Sequence, residues 1–281
     1  MPLRLSVITD EISMDFAHAL DVMREYGVQG AELRSLWGHN VVDLPDEMVE
    51  KAVSILREKG MTVSCIASPL FKCELDAKSG EADRVSYQAR ERTIADQPAL
   101  LDRCADLTRM FGTRLVRVFS FWKRGDLTLE VEDRIVRELS AAAEAAGRRG
   151  IVLGLENEHS CYLGTGEDTA RVLRRVNSPC LQAVWDLGNA FCAGEDPFPA
   201  GYEAIRGYVV HVHLKDAVRL ATGQCRFVAI GDGEINYEGQ FKALNDVDWQ
   251  GWLSLETHYA AAGGNGETST RACLSALTKM L

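Results

Sequence analysis

The chain has 281 residues, of which 46% are hydrophobic and 26% charged, a balance typical of a protein with a full-sized apolar core. Its 31 basic and 41 acidic residues give a formal net charge of −10, which argues against nucleic acid or an anionic membrane as a partner, since both require clustered lysine and arginine. No run approaches the roughly 18 apolar residues of a membrane span.

The N-terminal segment and the cysteines favour a cytoplasmic location. The segment MPLRLSVITD has too short an apolar run before its acidic pair to be a signal peptide. Eight cysteines stand at positions 65, 73, 104, 161, 180, 192, 225 and 273, with no CxxC pair among them. We therefore expect free, mostly buried thiols in a reducing compartment.

Strand-like runs alternate with segments of helical periodicity along the whole chain. In chain order, the predicted strand–helix pairs are 3–9 with 16–26, 28–34 with 45–59, 62–67 with 98–111, 114–120 with 130–148, 151–156 with 167–176, 181–186 with 202–206, 208–214 with 237–244, and 252–256 with 268–280. Thr165 is the predicted N-cap of the fifth helix.

This alternation indicates a parallel sheet built from βαβ units. Eight such units predict an α/β fold in which residues 1–281 form a single-domain (β/α)8 TIM barrel. An open doubly wound sheet is the alternative, and the absence of a GxGxxG motif after the first strand weakens the case for dinucleotide binding.

Three connections are long enough to hold functional residues. Segment 68–97 is polar and charged, and we expect it to form a partly helical excursion that covers one mouth of the barrel. Segments 187–200 and 216–234 are Gly-rich loops that follow the sixth and seventh strands. Active-site loops follow the strands at the C-terminal face of such barrels.

Four consecutive strands end in side chains that bind metals. Glu156 and Asp186 close the fifth and sixth strands, His213 lies near the end of the seventh, and Glu256 closes the eighth. Strand alternation puts each of them on the face that carries small or polar neighbours, opposite the leucines and valines that face the helices. We therefore predict that all four point into the C-terminal mouth of the barrel.

Three converging carboxylates repel one another unless a cation lies between them. With one imidazole, this oxygen-rich set predicts a single divalent metal ion, Mn²⁺ in preference to Mg²⁺, Co²⁺ or Zn²⁺. No motif for an organic cofactor is evident. His211, one layer deeper than His213, is predicted to be a hydrogen-bonded core residue, and Arg117 to pair with one of the interior acids.

The strand-end motifs resemble those of a known group. They are LGLENE (153–158), VWDLGN (184–189), HVHLKD (211–216), GDGEIN (231–236) and LSLETH (253–258), preceded by TDEI (9–12) and ELRSLWG (32–38). Their order and spacing resemble the xylose-isomerase-like superfamily of sugar isomerases and epimerases, which includes ketose 3-epimerases, hydroxypyruvate isomerases and inosose dehydratases. The resemblance runs from the first strand to the end of the chain and is specific for the superfamily, not for one substrate.

The resemblance implies roles for the four residues. Glu156, Asp186, His213 and Glu256 would be the metal ligands, and the two glutamates would exchange protons with the carbon beside the carbonyl of a small polyhydroxylated compound. The expected activity is isomerisation or epimerisation of a sugar or keto-sugar through an enediolate, whose charge the metal stabilises as a Lewis acid. The alternative is a lyase that removes water from an inosose-like ring after the same proton abstraction.

Further candidates for substrate contact are Glu32, Arg34, Trp37, Glu158, His159, Asn189, Lys215 and Arg219. Glu32 and Arg34 share a face at the end of the second strand, where a structural ion pair is the alternative. Lys215 either binds an anionic oxygen of the substrate or pairs with Asp216 or Asp232. Glu158 and His159 follow the first ligand and are also expected to orient it.

Asn189 departs from the family pattern, in which many relatives have a histidine three positions after the strand-six aspartate. An asparagine can bind a substrate hydroxyl but is a poor base or second-metal ligand. Asn189 also argues against the activity of the related apurinic nucleases, because their trinuclear metal site needs more histidines than the six in this chain. Arg219 lies six residues after His213, where some epimerase relatives place a substrate-binding arginine. Three histidines have no evident role in a metal cluster: His18, His39 and His258.

A third hypothesis, from a different functional class, is a metal-binding scaffold or a subunit of a complex without its own turnover. Relatives are often dimers or tetramers, so the resemblance also makes a homo-oligomer an expectation.

Overall fold

Eight parallel strands close into a barrel in a computed structural model of the chain, which describes residues 3–76, 85–86, 88–90 and 92–281. The barrel strands are β1 (Arg4–Ile8), β2 (Gly30–Leu33), β3 (Thr62–Leu70), β4 (Leu115–Val118), β5 (Val152–Glu156), β6 (Leu181–Asp186), β7 (Val209–Leu214) and β8 (Trp252–Leu255). Each strand pairs with its neighbours in chain order, and β8 pairs with β1 to close the barrel. The predicted (β/α)8 TIM barrel is confirmed, and the open-sheet alternative is wrong.

The helices between the strands lie close to their predicted positions, except the short helix Leu187–Cys192, which falls in a segment predicted as a Gly-rich loop. They are α1 (Phe16–Glu25), α2 (Asp46–Lys59), α3 (Gln97–Phe111), α4 (Leu129–Arg149), α5 (Gly166–Val176), α6 (Leu187–Cys192), α7 (Tyr202–Ile205), α8 (Tyr237–Asp246) and α9 (Gly266–Met280). The predicted N-cap of α5 is confirmed, because the Thr165 hydroxyl accepts a hydrogen bond from the backbone N–H of Asp168 at 3.1 Å. Among the helices that the structure describes, none is long and apolar enough to cross a membrane.

Two connections predicted as Gly-rich loops contain regular structure. The segment after β6 begins directly with α6. The segment after β7 folds into an antiparallel hairpin of strands Asp216–Arg219 and Cys225–Val228, called the 216–228 hairpin below. The prediction of loops is wrong here, because the glycine pattern does not reveal backbone pairing within so short a segment.

Segment 68–97 is only partly described. Its described part contains the end of β3, the short paired strands Val85–Ser86 and Ala89–Arg90, and one turn of 3-10 helix at Ile94–Asp96. Residues 77–84, 87 and 91 lie outside the described residues. The predicted helical content of this excursion is therefore confirmed for that single turn.

Two of the eight cysteines form a disulfide. Cys192, at the end of α6, is bonded to Cys225 in the 216–228 hairpin, and their Cα atoms lie 5.3 Å apart. The prediction of free thiols is wrong for this pair. The two cysteines are 33 positions apart in sequence and meet because the hairpin folds back onto α6. The other six cysteines belong to no disulfide that the structure describes, and all of them except Cys180 are buried.

The barrel strands alternate between an apolar outer face and a functional inner face. On β5, Leu155 packs into the apolar layer between barrel and helices, whereas Glu156 points inward. The strand register pairs Asp186 of β6 with His213 of β7, and Val184 of β6 with Glu156 of β5. The register therefore brings the functional ends of three adjacent strands together at the C-terminal mouth.

Gly154 provides a test of how tightly the barrel interior is filled. A Cβ atom at this position would lie 2.6 Å from a methyl carbon of Val184, well inside van der Waals contact. We expect Gly154→Ala to lower the free energy of unfolding by about 1–3 kcal/mol, the usual cost of overpacking a filled interior. Denaturant unfolding followed by circular dichroism measures the change. Gly125→Ala is the control, since a Cβ atom there meets nothing within 4 Å. Equal stability of the two variants would contradict the packed interior.

Candidate metal centre and active site

Four side chains from consecutive strands converge at the C-terminal mouth of the barrel. The Nδ1 atom of His213 lies 3.4 Å from Glu156 Oε1 and 3.4 Å from Glu256 Oε2. The same nitrogen lies 3.7 Å from Asp186 Oδ2. All four residues are buried, and one ligand atom from each lies within 4.8 Å of the others. The structure therefore brings together the four residues that the sequence predicts as metal ligands.

The donor set fits a divalent cation. Within the described part of the chain, Glu156 Oε2, Asp186 Oδ2 and Glu256 Oε2 are buried, and each lies against the charged group of Arg117 or Lys215. Three buried carboxylate oxygens beside an imidazole nitrogen require positive charge near them, and they are the donors that a divalent metal site provides. One nitrogen and three carboxylates suit Mn²⁺, Mg²⁺, Co²⁺ or Zn²⁺.

Two buried cations lie against these carboxylates. The Lys215 ammonium is 2.9 Å from Asp186 Oδ2 and 2.6 Å from Glu256 Oε2. The Arg117 Nε atom is 3.4 Å from Glu156 Oε2, which confirms the predicted pairing of Arg117 with an interior acid. Burial alone would lower the pKa of Lys215, but the charges of Asp186 and Glu256 outweigh it and hold that pKa well above its usual value.

Glu256 has further partners on its other oxygen. Arg34 Nη1 donates a hydrogen bond to Glu256 Oε1 at 3.1 Å, and His258 Nε2 lies 3.3 Å from the same atom. Arg34 is itself anchored by two acidic residues that follow β1. Burial alone would raise the pKa of Glu256, but the charges of Lys215 and His258 hold it well below its usual value. His258 therefore lies at the site, which corrects the expectation that it has no evident role.

Glu32 lies beneath the four predicted ligands and not in the open mouth. It is fully buried, and its carboxylate oxygens lie 2.8 Å from His211 Nε2 and 3.1 Å from His213 Nε2. Burial alone would raise the pKa of Glu32, but the charges of His213 and His211 hold it well below its usual value. These contacts favour a positioning role for Glu32 over the substrate contact that the sequence suggests. The prediction that His211 is a hydrogen-bonded core residue is confirmed.

A chain of polar contacts leads from the ligands to the rim of the mouth. Asn189 Nδ2 donates to Glu156 Oε1 at 3.1 Å, and Asn189 Oδ1 lies 2.8 Å from His159 Nδ1. His159 Nδ1 is also 3.1 Å from Glu158 Oε1, and the other Glu158 oxygen is 3.1 Å from Lys72 Nζ. Burial alone would raise the pKa of Glu158, but the lysine charges nearby, that of Lys72 foremost, hold it well below its usual value.

Two predicted substrate contacts face neighbouring helices. Trp37 packs edge-on against Phe16 of α1, with ring centroids 5.8 Å apart, and the ammonium of Lys51 in α2 lies above its ring. Arg219 is exposed and donates to the carbonyl oxygen of Phe191 in α6 at 2.9 Å. The structure thus gives both residues partners outside the cluster of metal ligands.

Asp216 is held by the backbone of the segment after β7. Its carboxylate accepts hydrogen bonds from the N–H groups of Ala217 at 2.9 Å, Gly231 at 2.9 Å and Gly233 at 3.1 Å. The predicted alternative that Lys215 pairs with Asp216 or Asp232 is wrong, because the Lys215 ammonium lies against Asp186 and Glu256.

Two residues at the mouth were not predicted from the sequence. Phe227 of the 216–228 hairpin packs edge-on against His258, with ring centroids 4.9 Å apart, and lies 6.4 Å from the ring of His159. It thereby joins the connections that follow β5 and β8. Lys72 reaches Glu158 from the connection after β3. Their only sequence signal is their position in long connections after barrel strands.

Comparison with known proteins agrees with this architecture. The sequence matches the family described as xylose isomerase-like TIM barrel over residues 20–280. An inosose dehydratase of Geobacillus thermodenitrificans is 21% identical over 264 residues, which cover 89% of this chain and 84% of that protein. A putative L-ribulose-5-phosphate 3-epimerase of Escherichia coli, SgbU, is 22% identical over 182 residues, which cover 62% of each protein. Several other inosose dehydratases are matched over 41% to 49% of their own length.

Among solved structures, the IOLI protein with a binding zinc atom has the same fold. The two chains are 14% identical with a TM-score of 0.77, and the match covers 99% of this chain and 98% of that chain. An identity this low shows only that the two chains share a fold. The family match, in contrast, is a match of sequence and spans residues 20–280. The chain therefore belongs to the xylose isomerase-like TIM barrel family.

Proposed function

We propose that this chain is a divalent-metal-dependent enzyme that transfers a proton at the carbon next to the carbonyl of a sugar or keto-sugar, and so isomerises or epimerises it. The observation that carries this proposal is the placement of two glutamates. Glu156 of β5 and Glu256 after β8 each lie 3.4 Å from the same nitrogen of His213. Two carboxylates that approach one centre from different strands can remove a proton and return it from different directions.

The proposed metal ligands are Glu156, Asp186, His213 and Glu256, with Mn²⁺ favoured. The cation would polarise the carbonyl and hydroxyl oxygens of the substrate as a Lewis acid. The protein side chains have the separate task of holding the two bases in place. Asn189 and Arg117 hold Glu156, while Arg34 and His258 hold Glu256.

The charge around Glu256 keeps its carboxylate ionised. Lys215 and His258 favour this form, which is the form that a general base requires. The rim above the ligands offers both donors and acceptors, among them Lys72, Glu158 and His159. Mixed donors and acceptors match the hydroxyl groups of a small polyhydroxylated carbonyl compound.

Solvent deuterium exchange tests the proposed proton transfer. The Mn²⁺-loaded protein is incubated in D₂O with ketoses, inososes and keto-glycosides, and NMR follows deuterium bound to carbon. We expect exchange into at least one compound. Glu156→Gln and Glu256→Gln should each lose about 100- to 10,000-fold of that rate at saturating metal, the usual contribution of a general base.

Glu195→Gln is the matched control for this experiment. The Glu195 carboxylate accepts a hydrogen bond from the N–H of Gly166 at 2.6 Å, at the start of α5, and among the described residues it belongs to no group that could hold a metal ion. This variant should keep the wild-type exchange rate. Full metal occupancy without exchange into any compound of the panel would contradict the proposed activity.

Metal binding should also stabilise the folded protein. Because the four ligands are brought together only by folding, Mn²⁺ at about 100 times its Kd should raise the free energy of unfolding by about 2.7 kcal/mol. Urea unfolding with Mn²⁺ and with a chelator measures the difference. In Asp186→Asn the rise at the same Mn²⁺ concentration should be smaller. A wild-type protein whose stability is unaffected by the chelator would count against a metal site.

A dehydratase is the second candidate, favoured by Lys215. Its ammonium lies 2.6 Å from Glu256 Oε2, where it can give a proton to a hydroxyl group that leaves after Glu256 has accepted the proton from carbon. The relative matched over 84% of its length is named as an inosose dehydratase.

Ultraviolet absorption of the products distinguishes the two activities. A dehydratase produces a lasting enone or diketone absorption, whereas an isomerase or epimerase does not. If the dehydratase is correct, Lys215→Met should slow the appearance of this absorption by at least about 100-fold while carbon–deuterium exchange continues, because the general acid is lost and the carboxylate base, Glu256, is retained. Equal loss of exchange and elimination would contradict that role for Lys215.

A further inference from the structure

A buried carboxylate and two histidines form a group directly beneath the metal ligands. Glu32 is fully buried on β2, and its two oxygens lie 3.1 Å and 3.2 Å from Nε2 of His213. One of these oxygens is also 2.8 Å from Nε2 of His211. Strands β2 and β7 are not neighbours in the barrel, so these hydrogen bonds cross its interior.

The contacts of His213 distinguish its two ring nitrogens. Nε2 faces Glu32, whereas Nδ1 faces Glu156, Asp186 and Glu256. An ionised carboxylate can only accept hydrogen bonds, so each imidazole nitrogen that contacts Glu32 must donate one. Nε2 is therefore the protonated nitrogen of both histidines. Nδ1 is then the His213 nitrogen left to bind a metal ion, and it faces the three carboxylates that would share that ion.

His211 keeps the Glu32 carboxylate in this orientation. It precedes His213 by two residues on β7, and the two rings stand edge to face with centroids 5.4 Å apart. Its separate hydrogen bond to Glu32 Oε2 prevents the carboxylate from rotating away from His213. The three side chains have no exposed surface, so solvent does not compete for these bonds.

We propose that Glu32, held by His211, is a positioning residue that selects the Nε2–H tautomer of His213 and so presents Nδ1 to a metal ion. The inference rests on the proposed function, because it takes His213 to be one of the four metal ligands. Hydrogen-bonded partners of a ligating histidine fix its tautomer and raise its basicity, and their loss commonly weakens metal binding. Glu32 thus acts through His213 and does not contact the substrate.

Glu32→Gln is the sharpest variant for the test. It preserves the shape of the side chain, but its amide group can donate to His213 Nε2 and so favour the opposite tautomer, which has its hydrogen on Nδ1. Calorimetric titration with Zn²⁺ and with Mn²⁺ should show a Kd about 10- to 100-fold higher than that of the wild type. Glu32→Asp keeps an acceptor and should recover part of the affinity.

Glu132→Gln is the matched control, since Glu132 is similarly buried but pairs with Arg171 and Arg175 on α5. Its metal Kd should equal that of the wild type. The wild type itself gives a second, independent readout, because ¹⁵N NMR of the histidine side chains in the Zn²⁺-loaded protein identifies the protonated nitrogen. We expect hydrogen on Nε2 of both His211 and His213.

Several results would overturn the inference. One is a Zn²⁺ Kd of Glu32→Gln within about twofold of the wild-type value, well below the usual effect of losing such a partner. Another is hydrogen on Nδ1 of His213 in the loaded wild type, which decides the question even if Glu32→Gln does not fold. A wild type that binds no divalent cation would contradict the metal site and this inference together. Normal metal binding without deuterium exchange would contradict only the proposed activity.

Discussion

The mouth of the barrel is organised around one electrostatic constraint, the burial of three carboxylates beside a single imidazole nitrogen. Like charges in a low-dielectric interior are costly unless cations compensate them. The structure supplies these cations from several strands: Lys215 extends from β7, Arg117 lies on β4, and Arg34 follows β2. The same carboxylate cluster that requires this compensation is the set of oxygens that a divalent metal ion prefers.

Strand β7 and its extension show how the barrel delivers these groups in layers. Because side chains alternate along a strand, His211, His213 and Lys215 share the inner face at successive levels. His211 contacts Glu32 at the lowest level, His213 contacts the three carboxylates, and Lys215 lies against two of them, Asp186 and Glu256, at the mouth. One strand thus provides a partner for Glu32, a proposed metal ligand and a cation.

The barrel and the convergence of the four proposed metal ligands were predictable, because both follow from local sequence patterns. Strand–helix alternation defines the βα units, and a charged residue at the end of an apolar strand has its direction fixed by alternation. Contacts between distant segments leave no such pattern. The proposed role of Glu32 depends on its hydrogen bond to His213 across the barrel interior. The position of Phe227 depends on the folding of the 216–228 hairpin, and the disulfide between Cys192 and Cys225 forms because that hairpin packs against α6.

A crystal structure of the protein grown with Mn²⁺, with anomalous diffraction recorded at the manganese edge, tests the proposed metal site. We predict one manganese peak coordinated by Glu156, Asp186, Glu256 and Nδ1 of His213. A mouth without manganese at saturating metal, in which the Lys215 ammonium still bridges Asp186 and Glu256, would contradict it.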